Sequence, residues 1–315
     1  MDESEPGSFP ARAAERPPRN GKGAEVGGQQ QADIDSAEPR KPARRILEQE
    51  ITEGLGEIRR PPIGLFISGL SAGLDVGFSL FLMAVMFTYA NGQLPEPVTQ
   101  ILVAMMYAVG FIFVIIGRSE LFTEHTALAT LPVLNGNATL NDLARLWAIV
   151  YTANLIGAAI SAALTTVVGP NLGVIDPGAL GWIAHHVVDH SWWVILLSAI
   201  LAGWMMGLLS WLVAAGRDTI SQIFLVGLVT TAIGLGKLHH SIVGTVEVLA
   251  GLFAGQGITL AHFGHFLLWT TIGNSIGGVF FVAVIKYGHV VRSDRTKENV
   301  SLSQNPSKTN APAGE

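Results

Sequence analysis

The chain has 315 residues, a net charge of −5, no cysteine, 49% hydrophobic residues and a mean hydropathy of +0.43. That balance excludes a disordered protein, a disulfide scaffold and an ordinary cytosolic enzyme, and the missing cysteines remove thiolate metal sites and thiol nucleophiles. Nothing in the charge suggests a nucleic-acid partner, and the charges sit at the ends: residues 1–60 carry 10 of the 19 Lys/Arg and 12 of the 24 Asp/Glu, and residues 286–315 carry 5 and 3. The charge-poor, glycine-rich stretch between them reads as an integral membrane domain.

Residues 1–40 are rich in Pro, Gly, Gln and charge. They lack the apolar run of a secretory signal and read as a disordered cytoplasmic tail. In 41–60, Leu47, Ile51, Leu55 and Ile58 repeat at helical spacing among charged residues. This predicts an amphipathic cytoplasmic helix, lying on a membrane surface or docked on a neighbouring subunit, and ended by Arg59-Arg60-Pro61-Pro62. A six-span transport domain follows over 61–290, then a cytoplasmic tail over 291–315.

The spans are expected near 63–90, 98–131, 140–168, 191–215, 219–255 and 262–287. About 20 apolar residues cross the hydrocarbon. The second and fifth segments are longer, and polar runs interrupt them at Gly117–Thr126 and Gly234–Ser241. Polar backbone at membrane depth is tolerated only inside protein or beside a cavity, so both read as broken helices. One break in the middle of each half is the trace of a 3+3 inverted repeat. The expected fold is therefore an all-α integral membrane protein with six transmembrane helices, the second and fifth broken. Loops 91–97, 169–190 and 256–261 carry no Lys or Arg, whereas Arg145, Arg217 and both tails share the other side. The positive-inside rule then puts both termini in the cytoplasm of a multi-pass cell-membrane protein. Gly69, Gly73 and Gly77, Gly203 and Gly207, and Gly273 and Gly277 form small-residue faces for close helix packing.

Several residues are candidates for function. At the first break, Leu121 and Phe122 could gate a path or merely anchor the loop, and Thr123 adds a hydroxyl beside backbone N–H groups. At the second, His239 and His240 are titratable near neutral pH, and only one of two adjacent histidines faces a given pore. Asn154 and Asn274 either glue helices or line a path. Asp75, Glu247 and Lys237 are rare intramembrane charges, either pore groups or, for Lys237, one half of an ion pair. His185, His186, Asp189 and His190 form a solvated loop rather than a metal site. No GxSG, HExxH or phosphate-binding loop is present, so no catalytic residue, metal or cofactor is expected.

These residues make the chain resemble the formate/nitrite transporter family, in its YfdC-like branch. The likeness covers about 61–290 and rests on Leu121-Phe122-Thr123, Gly216-Arg217, His240-Ser241-Ile242 and Gly273-Asn274 with Gly277-Gly278, in family order. The resemblance implies an aquaporin-like homopentamer with one pore per subunit, passing small monovalent anions such as formate, nitrite or hydrosulfide. It makes His240 the central pore histidine and Thr123 its threonine. It puts Leu121, Phe122 and Met206 at the inner constriction and Tyr107, Phe111 and Ile233 at the outer one. Asn154 and Asn274 match the family asparagines. The chain departs from the pattern at Val187, where typical members carry a vestibule lysine, at His239, commonly acidic, and at Tyr107 and Ile233, commonly phenylalanine. The loss of the lysine removes a charge that draws anions inward; Lys237 and His239 are its potential substitutes.

The expected function is passage of a small weak-acid anion, linked to protons at His240, with lipid, protons and four further copies of the chain as its partners. A bare anion is disfavoured in apolar rings, so it crosses as the neutral acid or beside an imidazolium. Two alternatives stand: a pore for water or a neutral solute, and a redox subunit with His125, His239, His240 and His265 as ligands. A plug formed by the 1–60 tail is a further possibility.

Overall fold

The computed structural model describes residues 40–292; the tail assigned to 1–40, but for Arg40, and nearly all of 291–315 lie outside them. The described residues form helices joined by turns and short links, with no strand among them. In chain order the helices are α1 (Ala43–Arg59), α2 (Pro62–Asp75), α3 (Gly77–Ala90), α4 (Glu96–Ile116), α5 (Phe122–Leu128), α6 (Thr130–Leu134) and α7 (Leu140–Asn171). They continue with α8 (Pro177–Val188), α9 (Trp192–Ala215), α10 (Thr219–Leu235), α11 (Ser241–Phe253) and α12 (Leu260–Ile276). A π-helical stretch, Gly277–Val284, carries the last helix onward. Among the described residues, five rods are long and apolar enough to cross a membrane: Pro62–Ala90, α4, α7, α9 and Leu260–Arg292. The shorter α10 and α11 are apolar too. Start signals are legible: Pro at the first turn of α2, α4 and α8, and capping boxes at Thr139/Asp142 and Thr259/His262.

The small-residue faces are where the rods meet. Added at Gly73, a Cβ would strike the Asn154 carbonyl of α7; at Gly203, it would strike the Asn274 carbonyl of α12. Only glycine admits backbones this close.

Two links interrupt the helical run, residues 117–121 and 236–240. Each opens with the same C-terminal motif. After α4, Arg118 N–H reaches Ile115 O (3.4 Å) and Ser119 N–H reaches Val114 O (3.0 Å). After α10, Lys237 N–H reaches Gly234 O (3.1 Å) and Leu238 N–H reaches Ile233 O (3.1 Å). This is the Schellman turn, whose left-handed position normally takes glycine. Here Arg118 (φ 60°) and Lys237 (φ 49°) occupy it. Arg118 Nη1 pairs with Glu53 Oε1 at 2.9 Å, and the Lys237 ammonium lies 5.7 Å from the centre of the Trp182 ring. Lys237 therefore stacks on an aromatic face instead of pairing with a carboxylate.

Two further differences from the sequence reading concern the periphery. The 169–190 segment is not a plain loop, because Asp176 caps α8 and that helix buries Leu180, Ile183 and Ala184. The amphipathic α1 docks on its own chain. Ile46 and Leu47 bury against Leu131, Trp211, Ala283 and Val290, and Arg145 donates to the Ile58 carbonyl at its C-terminus. At Gly54, a Cβ would come 2.5 Å from the Leu128 carbonyl. Gly54→Leu is expected to lift α1 away at a cost of about 1–3 kcal/mol. Hydrogen exchange of α1 amides would then rise, while that of α7 stays unchanged.

Candidate functional site

The two links converge on one buried pair. His240 Nε2 lies 2.7 Å from Thr123 Oγ1, and neither residue is more than 2% exposed. The Val243 N–H donates to His240 Nδ1 at 3.3 Å. A ring nitrogen that accepts carries no hydrogen, so in neutral His240 the hydrogen is on Nε2 and points at Thr123. The Thr123 hydroxyl hydrogen is then left for another acceptor. Phe111 meets the His240 ring edge-on at 5.1 Å, and Tyr107 packs on Phe111 at 5.2 Å.

Two asparagines hold the links in matching ways. Asn154 Oδ1 accepts from Phe122 N–H (2.8 Å), while its Nδ2 donates to Glu120 O (2.9 Å) and Gly69 O (2.7 Å). Asn274 Oδ1 accepts from Ser241 N–H (2.8 Å), while its Nδ2 donates to His239 O (3.0 Å) and Ala199 O (2.8 Å). Each amide clamps the first N–H of a half-helix and the carbonyl two residues before it. Both amide hydrogens are used on backbone, which is the geometry of glue. The Phe122 and Ser241 N–H groups are engaged by these clamps. Ser241 Oγ is buried with no hydrogen-bond partner among the described residues.

Cavities lie on either side of the pair, at opposite ends of α4 and α10. One holds about 70 Å³ and is lined by Tyr107, Ile233, Lys237, His239, His240 and Glu247, room for several waters. The other holds about 330 Å³ and is lined by Glu50, Glu53 and Glu57 of α1 with Glu120, Glu124 and His125. Phe111, Leu121, Phe122, Thr123 and Met206 line neither cavity and are all buried. Phe122 packs edge-on against Tyr151 (4.8 Å) and Trp147 (5.7 Å), which ties it to α7.

His239 points away from Thr123. Its Nε2 reaches Val187 O (3.0 Å) and its Nδ1 reaches Ser198 Oγ (2.9 Å), fastening the link to α8 and α9. Both ring nitrogens of His239 and of His240 thus face protein atoms, His265 is exposed on α12, and no group of three His, Asp or Glu among the described residues is placed to hold a metal. Asp75 accepts from Ser71 (3.2 Å) and lines neither cavity.

The sequence reading missed the acidic cavity. Glu50, Glu53 and Glu57 share one face of α1, which the 3.6-residue period could have shown. What was missing was the docking that turns this face inward. There Arg60 bridges Glu57 (2.8 Å) and Glu120, and Ser210 Oγ sits 2.8 and 3.1 Å from the two Glu50 carboxyl oxygens. Burial pushes the Glu50 carboxyl up to about 8, against the Ser210 hydrogen bond.

A bundle of long apolar rods with small-residue contacts and links meeting at its centre defines a polytopic membrane protein. The formate/nitrite transporter family model matches residues 44–288, and the chain belongs to that family. It is 30% identical over 275 residues to the inner membrane protein YfdC of Escherichia coli (strain K12), covering 86% of this chain and 87% of that one. Among solved structures it resembles an FNT family ion channel (TM-score 0.70, 24% identity, 78% of this chain and 98% of that one). It also resembles a pentameric formate channel with formate bound (TM-score 0.61, 21% identity, 73% and 98%).

Proposed function

We propose that the chain forms a membrane pore for small monovalent weak-acid anions, with proton linkage at His240. The observation that carries this reading is the His240–Thr123 pair, buried between two cavities at opposite ends of the bundle. An anion reaching Thr123 meets a hydroxyl hydrogen that His240 has left unengaged. Behind it, His240 holds or lends a proton on Nε2. Tyr107, Phe111 and Ile233 form the outer constriction and Leu121, Phe122 and Met206 the inner one; bare ions are excluded from both by lost hydration. Asn154 and Asn274 act by holding the links, and His239 by fastening the second to its neighbours.

In this reading the bundle has six spans, with α4–α5 and α10–α11 as the broken second and fifth, related as an inverted repeat by their matching turns and asparagine clamps. The assembly is a homopentamer, supported by the likeness to a pentameric formate channel. Both termini are cytoplasmic, the α1 cavity faces inward, and 61–290 is the transport domain.

The test is uptake by proteoliposomes of the purified protein, comparing formate, nitrite, hydrosulfide and glycerol with and without an inward proton gradient. Acid-stimulated anion uptake is expected. His240→Ala is expected to lower it roughly 100-fold, the low end of what a positioned proton donor contributes, while the oligomer stays intact on size-exclusion chromatography. Undiminished uptake in that variant would sink the role of His240. The acidic α1 cavity favours a second reading, a pore for neutral solutes, and glycerol entry without anion entry would establish it.

A further inference from the structure

Glu247 has no role in the pathway derived so far. It sits in the middle of α11, is 6% exposed, and lines the same cavity as His240. No hydrogen bond and no ion pair reaches its carboxyl from any described residue. The titratable and charged groups facing the same cavity are Tyr107 of α4, His186 of α8, and Lys237, His239 and His240 of the link. Each of the others with a nitrogen is engaged elsewhere. Lys237 lies on the Trp182 ring, and His186 Nδ1 pairs with Trp182 O at 2.7 Å. His239 and His240 spend both ring nitrogens on protein. A buried carboxylate is tolerated when a cation or several donors compensate it. No such partner bonds the Glu247 carboxyl among the described residues; cavity water, the Tyr107 hydroxyl facing the same cavity and the proton itself remain to compensate it.

Resting on the anion-pore reading, we propose that Glu247 is a second proton-exchanging group of the pathway, which selects anions of weak acids over anions of strong acids. An anion entering the cavity meets the carboxylic acid. The Oε–H bond breaks, the proton forms an O–H bond on the anion, and the neutral acid moves on to Thr123 and His240. The Glu247 carboxylate left behind takes a proton from a hydronium ion that reaches it from the outer solution through the cavity water, leaving water, so one proton accompanies each anion. Chloride and nitrate hold a proton too weakly for this step and face an unprotonated passage through the apolar ring.

The experiment uses proteoliposomes of the full chain carrying an entrapped pH dye, with formate and chloride as probes. Wild type is expected to take up formate with one proton each and to exclude chloride. Glu247→Gln keeps the shape and removes the exchangeable proton; acid-driven formate uptake is expected to fall roughly 100-fold and to lose its pH dependence. Glu247→Asp, which keeps the proton, is expected to retain both the uptake and its pH profile in weakened form. Wild-type rate and pH profile in Glu247→Gln, with His240→Ala impaired, would overturn the proposal and leave the pore intact. Should Glu247→Gln fail to assemble, chloride entering wild type as fast as formate is the overturning result. No anion entry in wild type would remove the pore reading and this proposal together.

Discussion

Asn274→Leu should lower the thermal midpoint of the detergent-purified protein by roughly 10 °C. The change strips the Ser241 N–H and the His239 carbonyl of their partners in the buried interior. Each buried group left unsatisfied costs about 1–3 kcal/mol, on the order of 4 kcal/mol together. A protein of this size moves about 2–4 °C per kcal/mol. The effect reaches function because His240 lies between the two clamped groups; once the clamp opens, the imidazole no longer faces Thr123. Asn154→Leu is expected to act alike on Glu120, Leu121 and Phe122. Asn171→Leu, at an exposed amide in the last turn of α7, serves as the control and should shift the midpoint by about 1 °C or less. A midpoint unchanged in both clamp variants would show that the links are held by packing alone.

The docking of α1 should weaken as pH rises from about 4.5 to about 8. Glu50 is protonated in the docked helix up to about 8, because burial disfavours its carboxylate. Undocked, it ionises at the ordinary 4.5. A raised docked value means that the stabilisation is complete below 4.5, falls through that window and levels off above 8. At pH 7 the undocked state is favoured by about 3 kcal/mol relative to acid conditions, at 1.36 kcal/mol per pH unit. Protection factors of α1 amides, corrected for intrinsic exchange, should therefore fall by roughly 100-fold or more between pH 5 and pH 8. Glu50→Gln should flatten that profile and protect α1 more strongly at neutral pH. A wild-type profile without slope would show that water enters beside Glu50 and keeps its carboxyl ordinary.

The larger features of the fold were legible because membrane helices write themselves in long apolar runs and small-residue stripes. Gly73 and Gly203 were readable as packing positions from spacing alone. His240 was readable as a titratable residue inside an interrupted span, whereas Thr123 was a weak signal by itself and its place beside His240 came from the family resemblance. Less was legible where a residue's partner lies far along the chain. Nothing local distinguishes the Asn154 amide as a clamp from the same amide lining a path; the distinction lies in Gly69 and Glu120, 85 and 34 residues away. Ser198 and the Val187 carbonyl likewise decide which way His239 turns. Glu50 and Glu57 were readable only as charges between the apolar positions of the helix, because periodicity reports a polar face without saying what it will face. Helix α8 escaped notice since Pro177 and Gly178 resemble loop punctuation, although Pro at a first turn is a helix start.

The left-handed turns at Arg118 and Lys237 bear on how this protein can be improved. A non-glycine residue in that conformation costs roughly 1 kcal/mol relative to glycine. Replacing either with glycine is thus an easy route to a more heat-resistant protein, and one that any stability-guided redesign would choose. It would also erase the cation stacked on Trp182 above one cavity, or the partner of Glu53 beside the other. At these two positions a gain in heat resistance is set against the loss of a cationic side chain that lines a cavity, so a variant optimised for crystallisation would misreport the charge of both cavities.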